Sequence, residues 1–192
     1  MMQIDDIKVK LKQMLTPQRF AHSVQVMEAS VKLAGKYGED PEKAAIAGLV
    51  HDCAKDLPIE TTFTFCDKYG IIIDDIMKCQ PELLHGLVGS YLARDIFGIE
   101  CPRILAAVEA HTMGREGMDK LCSIVFIADY IEAGRNYPGV EKIRAAAEES
   151  LEKAVVAGID NTVTHILKKG GLLHPQTVAT RNWALKQSGM VK

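Results

Sequence analysis

The chain lacks most of the features that would assign a function at sight. Its five cysteines, Cys53, Cys66, Cys79, Cys101 and Cys122, are odd in number, widely spaced and never arranged Cys-x-x-Cys. That pattern argues against a disulfide framework and against a thiolate zinc site. No apolar run approaches membrane-spanning length, and Asp5, Asp6 and Lys8 carry charge where a signal peptide needs an apolar core. A cytoplasmic protein with reduced thiols and no membrane partner is the expectation. The net charge of -2 supplies no basic field of the kind that tracks nucleic acid, so any phosphate-bearing ligand must be gripped locally. Neither G-x-x-x-x-G-K nor G-x-G-x-x-G occurs, which disfavours P-loop and Rossmann enzymes. Strand signals are scarce too: Ile71-Ile72-Ile73 is the one strand-like run, too short to build a sheet.

Helix punctuation fills the chain instead. At 192 residues, with 47% hydrophobic and 25% charged residues, it fits one soluble globular domain with a substantial core. Thr16-Pro17 reads as an N-cap followed by proline at the first helical position, with Gly38 closing that helix. Asp40-Pro41 starts the next, which delivers His51 and Asp52 near its end. Further helices are expected from Pro58 to about Tyr69, over Asp74–Cys79, from Glu82 to Phe97, and from Pro102 to His111. Met118–Glu132 follows, with Leu121, Ile124, Val125 and Ala128 on one core-facing stripe. Val140–Ala157, Asn161–Lys169 and Pro175–Gln187 complete the set. The fold class is all-α, in one domain spanning 1–192: a metal-site core over residues 17–135 with C-terminal helices over 138–190 packed on it.

Against that background, the histidines and acids are the informative residues. His22, His51, His85 and His111 sit among apolar neighbours that predict burial, and Asp52 and Asp129 lie beside them in the chain or the pattern. Imidazole with carboxylate, without thiolates or an oxygen-rich loop, suits a divalent first-row transition metal. Separations of 29 residues from His22 to His51, 26 from His85 to His111 and 18 from His111 to Asp129 place the ligands on different helices converging on a buried centre. Adjacent residues on a helix point about 100° apart, so His51 and Asp52 can meet one ion only near a helix end. Lys55 then lies one turn further on, within reach of a bound phosphate. For His22, His51, Asp52 and Asp129 the competing reading is a set of helix-end residues making ordinary hydrogen bonds. For His165 it is a surface or packing histidine, and for His174 a loop terminator. Tyr130 and Tyr137 are packing residues that also have the rings to stack on a base.

The order His22, His51-Asp52, Asp129 resembles the H…HD…D signature of the HD-domain metal phosphohydrolases. The likeness extends to Arg19-Phe20-x-His22-Ser23, Ala47-Gly48-Leu49-Val50-His51-Asp52-x-Ala54-Lys55, Leu84-His85-Gly86 and His111-Thr112-x-Gly114. It continues through Ala128-Asp129-x-Ile131-Glu132 and Arg135-Asn136-Tyr137-Pro138-Gly139-Val140 to His174-Pro175-x-Thr177 and Arg181-Asn182. Together these blocks resemble the YqeK family, the bacterial HD-type symmetrical diadenosine tetraphosphate hydrolases; Val50 and Cys53 are less usual in the dyad block than the aliphatic residues expected there. The resemblance implies an all-α HD fold, cleavage of diadenosine tetraphosphate into two ADP, and iron as the ion, with Mn, Co, Ni and Zn compatible with the same donors. It implies that His22, His51, Asp52 and Asp129 hold one ion. His85 and His111 would hold a second ion bridged by Asp52, or contact the phosphate directly.

The reaction expected is attack by metal-activated hydroxide on a central phosphorus, with Asp52, His85, His111 and Lys55 as the catalytic group. His22, Lys55, His85, His111, Asp129 and Arg135 would line the substrate, Arg135 being the bidentate phosphate clamp and Arg19 either a second phosphate contact or an ion-pair partner. Two rival readings remain at this point: an HD nucleotidase acting on another nucleotide, and a metal-anchored nucleotide sensor without turnover. A homodimer is compatible with an exposed stripe on one of the late helices.

Overall fold

Thr16, Asp40, Asp74, Asp119 and Ser150 each turn a side-chain oxygen back onto the first free N–H groups of a helix, and these caps set five of the helix starts. In the computed structural model, which describes residues 2–190, the elements are α1 (Ile4–Met14), α2 (Pro17–Tyr37), α3 (Pro41–Val50), α4 (Ile59–Tyr69) and α5 (Asp75–Cys79). After a 3-10 turn over Pro81–Leu84 come α6 (His85–Phe97), α7 (Pro102–Ala110), α8 (Lys120–Ile131), α9 (Val140–Glu149), α10 (Leu151–Lys168) and α11 (Pro175–Gln187). Among the described residues there is no strand, and Ile71–Ile73 is irregular. No helix of the described residues is long and apolar enough to cross a membrane.

Helix α8 is the axis of the molecule. Every residue from Leu121 to Ala128 is buried, so it is apolar all round rather than along the one stripe expected from its sequence. Helices α2, α3, α7, α9 and α10 all pack against it. The tightest neighbours are α2 and α3, and Gly48 is the reason. A Cβ built there would lie 2.6 Å from Ser30 Oγ and 3.0 Å from the backbone of Met27, so only glycine lets the two helices approach this closely. Gly86 does the same between α6 and α7, where a Cβ would meet Thr112 Oγ1 at 2.8 Å and the Glu109 carbonyl at 2.9 Å.

Three expectations need correction. Helix α1 carries no N-cap side chain and was not anticipated; it is held by burial of Ile7 and Leu11. The segment Glu82–Phe97 is not one helix, because the Pro81–Leu84 turn is 3-10 and the α-helix starts at His85. Val140–Ala157 is broken at Ser150, whose extended backbone (φ -157°, ψ 155°) ends α9 and whose hydroxyl caps α10. Helix α10 then runs unbroken through Gly158, absorbing the separate helix expected over Asn161–Lys169.

Candidate metal centre

The helices that α8 gathers, and α6 packed on α7 beside them, bring their imidazoles to one point. His22 comes from the second turn of α2, and His51 follows the last residue of α3 with Asp52 beside it in a run of turns. His85 is the first residue of α6, His111 caps the C-terminus of α7, and Asp129 lies near the end of α8. His51 is fully buried, and Asp52, His85 and His111 are buried with it. The helix-end position expected for the His51-Asp52 pair is the one observed.

A repeated local device aims the rings. Nδ1 of His51 donates to the Gly48 carbonyl at 2.8 Å, Nδ1 of His85 to the Glu82 carbonyl at 2.5 Å, and Nδ1 of His111 to the Val108 carbonyl at 2.7 Å. In each case the acceptor is three residues back in the chain. A ring whose Nδ1 carries the proton presents a bare Nε2 lone pair on its other side, as a metal ligand must. His22 uses a side chain instead: its Nδ1 stands 3.2 Å from Oε1 of the buried Glu132.

The four Nε2 atoms converge on two carboxylates. His22 Nε2 is 3.0 Å from Asp129 Oδ1 and 3.8 Å from Asp52 Oδ2, while His51 Nε2 is 3.5 Å from Asp52 Oδ2 and 4.0 Å from Asp129 Oδ1. The other oxygen of Asp52 faces the second pair, at 3.1 Å from His85 Nε2 and 3.5 Å from His111 Nε2. Each of two triads, His22–His51–Asp129 and His51–Asp52–His111, has its ligand atoms within 4.8 Å of one another.

Two observations show that these donors suit a cation. The buried Nε2 atoms of His22 and His51 have no hydrogen-bond partner. The Nε2 atoms of His85 and His111 lie 2.8 Å apart with both Nδ1 atoms already committed to carbonyls, so two lone pairs face each other. Such an arrangement calls for a positive charge between them. Imidazole and carboxylate donors make the natural occupant a divalent metal ion.

Electrostatics agree. Burial pushes the Asp52 and Asp129 carboxyls up, but the histidines around them, and Arg135 beside Asp129, outweigh it and hold both well below the usual carboxylate range. Burial drives the His51 ring down to about 4, so it is neutral and free to ligate. Burial also lowers His22, yet the Asp129 carboxylate 3.0 Å from its Nε2 leaves it raised.

The basic residues expected beside the centre are there, in several roles. Arg19 Nη1 donates to Asp52 Oδ2 at 2.8 Å, so the ion pair weighed for it is formed. Arg135 donates from Nη2 to Asp129 Oδ1 and from Nε to the Asp129 carbonyl at 2.7 Å. Lys55 Nζ stands 3.3 Å from His85 Nδ1, and burial lowers its pKa. His165 is exposed on α10. His174 lies away from the centre, capping α11 through Nδ1 while its Nε2 pairs with Asp74 at 2.6 Å.

Two residues escaped the sequence reading. Glu132 lies three positions after Asp129, hence on the same helical face, and that spacing was the available signal. Arg144 donates from Nη2 to the carbonyls of Glu132 and Arg135, at 2.9 and 3.0 Å, tying down the segment that carries both; nothing local in its sequence announces this.

Comparison with known proteins places this arrangement among relatives. A family model described as HD domain matches residues 19–134, a span that begins at Arg19 and ends just beyond Glu132. A protein of Halalkalibacterium halodurans named symmetrical bis(5'-nucleosyl)-tetraphosphatase is 40% identical over 91% of this chain and 93% of its own. A Bacillus subtilis protein of the same name is 38% identical over 93% and 95%. A crystal structure from Clostridium acetobutylicum, described as a predicted HD superfamily hydrolase involved in NAD metabolism, superposes with a TM-score of 0.94 at 45% identity, covering 97% of this chain and 99% of that one. With its imidazoles and acids inside the matched span and its likeness to these proteins running nearly end to end, the chain belongs to the HD-domain family.

Proposed function

We propose that the protein is a metal-dependent hydrolase that cleaves diadenosine tetraphosphate symmetrically into two ADP. The observation that carries this reading is Asp52, whose two oxygens face two different imidazole pairs and so suit a carboxylate bridging a phosphate-processing centre. The substrate follows from the relatives that carry the name of that activity over most of their length.

His22, His51, Asp52 and Asp129 are the proposed holders of a primary ion, and His85 and His111 would hold a second ion with Asp52 or meet the phosphate themselves. A divalent ion supplies Lewis-acid chemistry there, neutralising phosphoryl oxygens and acidifying water at neutral pH. Iron is the ion we propose.

The protein's own groups do the rest. The three carbonyl acceptors hold the Nδ1 protons of His51, His85 and His111 and leave each Nε2 lone pair aimed inward, and Glu132 orients the His22 ring toward the same point. Arg135, with Nε and Nη2 on Asp129, has its Nη1 side left to meet a phosphoryl oxygen, and Lys55 brings a second positive charge beside His85. Arg19, on the Asp52 oxygen that faces His22, keeps that carboxylate ionised and oriented. Charge spread over the phosphoryl oxygens during displacement is thus met by cationic groups already in place. Symmetrical scission requires the middle of the phosphate chain to lie over the Asp52 bridge.

The test is product analysis with anaerobically purified protein whose metal content has been measured. ADP as the sole product supports the reading; AMP with ATP contradicts symmetrical cleavage.

A further inference from the structure

The block Arg135-Asn136-Tyr137-Pro138-Gly139 takes little part in the centre beyond Arg135, yet its Tyr137 and Pro138 form one wall of a cleft of about 440 Å³ that opens from Asp129 and Arg135. The opposite wall is α10, through Asn161, Thr164, His165 and Lys168. This volume is of the size that encloses a small organic ligand. Apart from Asp129 and Tyr130, all the lining residues lie beyond position 134, outside the part of the chain that matches the HD model.

The lining is apolar and aromatic with a few uncommitted polar groups. Tyr130 is already spent: its ring lies 3.5 Å from where a Cβ on Gly158 would sit, and its hydroxyl pairs with Thr162 at 2.8 Å. Tyr137 donates its hydroxyl to the Tyr130 carbonyl at 2.8 Å, which fixes the ring as a wall of the cleft. Among the described residues, the side chains of Asn161, His165 and Lys168 make no hydrogen bond or ion pair with the protein. Asn161 is nonetheless held in place. A Cβ on Gly139 would lie 2.5 Å from its Oδ1, and Gly139 has a φ of +98°, so this close approach is open to glycine alone.

We infer that this cleft seats the nucleoside of one substrate half, with Tyr137 and Pro138 against the base and Asn161 reading its edge. The inference rests on the hydrolase reading above. An asparagine amide offers one donor and one acceptor side by side, the complement of the N6 and N7 edge of adenine. Guanine presents two acceptors on that edge and satisfies the same amide less well. The cleft shares Asp129 and Arg135 with the centre, so a base placed here leads its phosphates directly to the ligands. Chemistry then resides in the matched HD span, and nucleoside choice in the segment after α8 and in α10.

The experiment uses the full chain, metal-loaded, with two readouts: ADP affinity by calorimetry, and kinetics on diadenosine and diguanosine tetraphosphates. Thr164→Trp fills the cleft from its exposed rim, and Gln187→Trp places the same bulk in a cleft beside Tyr37 and Trp183 that shares no lining residue with it. Thr164→Trp should weaken ADP binding and raise KM for the adenine substrate about tenfold, with kcat within about twofold, and Gln187→Trp should leave ADP affinity unchanged. Asn161→Ala should cut the adenine-over-guanine ratio of kcat/KM by about tenfold. Unchanged ADP affinity in Thr164→Trp, an equal loss in Gln187→Trp, or an unchanged base ratio in Asn161→Ala overturns the inference. Cleft-dependent ADP binding without any cleavage of the tetraphosphate would sink the hydrolase reading and still support the site.

Discussion

Replacing Glu132 with alanine removes the acceptor that orients His22 while leaving every proposed metal ligand in the chain. Its Oε1 is 3.2 Å from His22 Nδ1 and its Oε2 accepts the Gly134 N–H, and the residue is only 4% exposed. Alanine leaves the largely buried His22 Nδ1 unpaired, at roughly 1–3 kcal/mol, while the exposed Gly134 N–H can turn to water, so the metal-free protein should lose about 1–3 kcal/mol of stability. The ring of His22 is then free to rotate its Nε2 away from Asp129 Oδ1, now 3.0 Å distant. Removing the group that orients a ligating histidine typically lowers metal affinity 10–100-fold, or about 1.4–2.7 kcal/mol. Glu132→Gln keeps an acceptor for His22 but sets an amide N–H₂ against the Gly134 N–H, so its losses should be intermediate. The assay is calorimetric titration of chelator-treated protein with Mn²⁺, paired with urea unfolding of the same preparation. If the alanine variant, still folded, bound the ion as tightly as the unaltered protein, Glu132 would be a packing residue and the reasoning about His22 would fail.

Asp52→Ala should bring hydrolysis of diadenosine tetraphosphate below detection with the helical far-UV signature intact; near-normal turnover in a metal-loaded variant would refute the bridging role. Gly48→Ala forces a methyl group to within 2.6 Å of Ser30 Oγ and 3.0 Å of the Met27 backbone, and should cost about 1–3 kcal/mol in urea unfolding through strain between α2 and α3. A stability equal to that of the unaltered chain would show that the helices part at no cost. His51 links acid to unfolding in metal-free protein. Its ring titrates near 6.5 when exposed and is pushed down to about 4 by burial, so between those values only the unfolded chain binds the proton. Stability present above pH 6.5 should therefore fall by about 3 kcal/mol on acidification to pH 4, and His51→Gln should flatten that slope. His22, raised by Asp129, works in the opposite sense, so an unchanged slope in the His51 variant would be the refuting result. Finally, a thiol-reactive disulfide should modify the exposed Cys79 first and half-buried Cys101 more slowly. Cys53 and Cys122, whose thiols burial pushes up to about 12, should react together with buried Cys66 only in denaturant. Rapid labelling of Cys53 in native protein would contradict its place in the core.

Much of the helical layout is legible in one dimension because helix ends are written locally. Thr16-Pro17 with Gly38, and Asp40-Pro41 before His51, signal their boundaries within a few residues, and the structure puts them there. The misread boundaries fail for an equally local reason. Ser150 ends a helix in a stretch rich in alanine and glutamate with no glycine or proline beside it, while Gly158, just past the expected end at Ala157, lies inside α10 with only ordinary 3.5 Å room against the Tyr130 ring. Gly48, required for packing, and Gly38, required for a turn, are the same letter in the sequence.

By itself, then, the chain of residues determines an all-helical protein, the helix-end position of His51 and Asp52, and the donor types suited to a divalent ion. Only the tertiary structure decides that Asp52 turns one oxygen to each imidazole pair, that Arg19 shares it, and that Glu132 reaches His22 across 110 positions of sequence. The physical reason is range. Caps and carbonyl acceptors three residues back follow from backbone geometry that repeats every turn, whereas the meeting of α2, α3 and α7 around α8, with α6 docked on α7, depends on how closely the helices approach, which Gly48 and Gly86 permit and the buried faces of α8 impose.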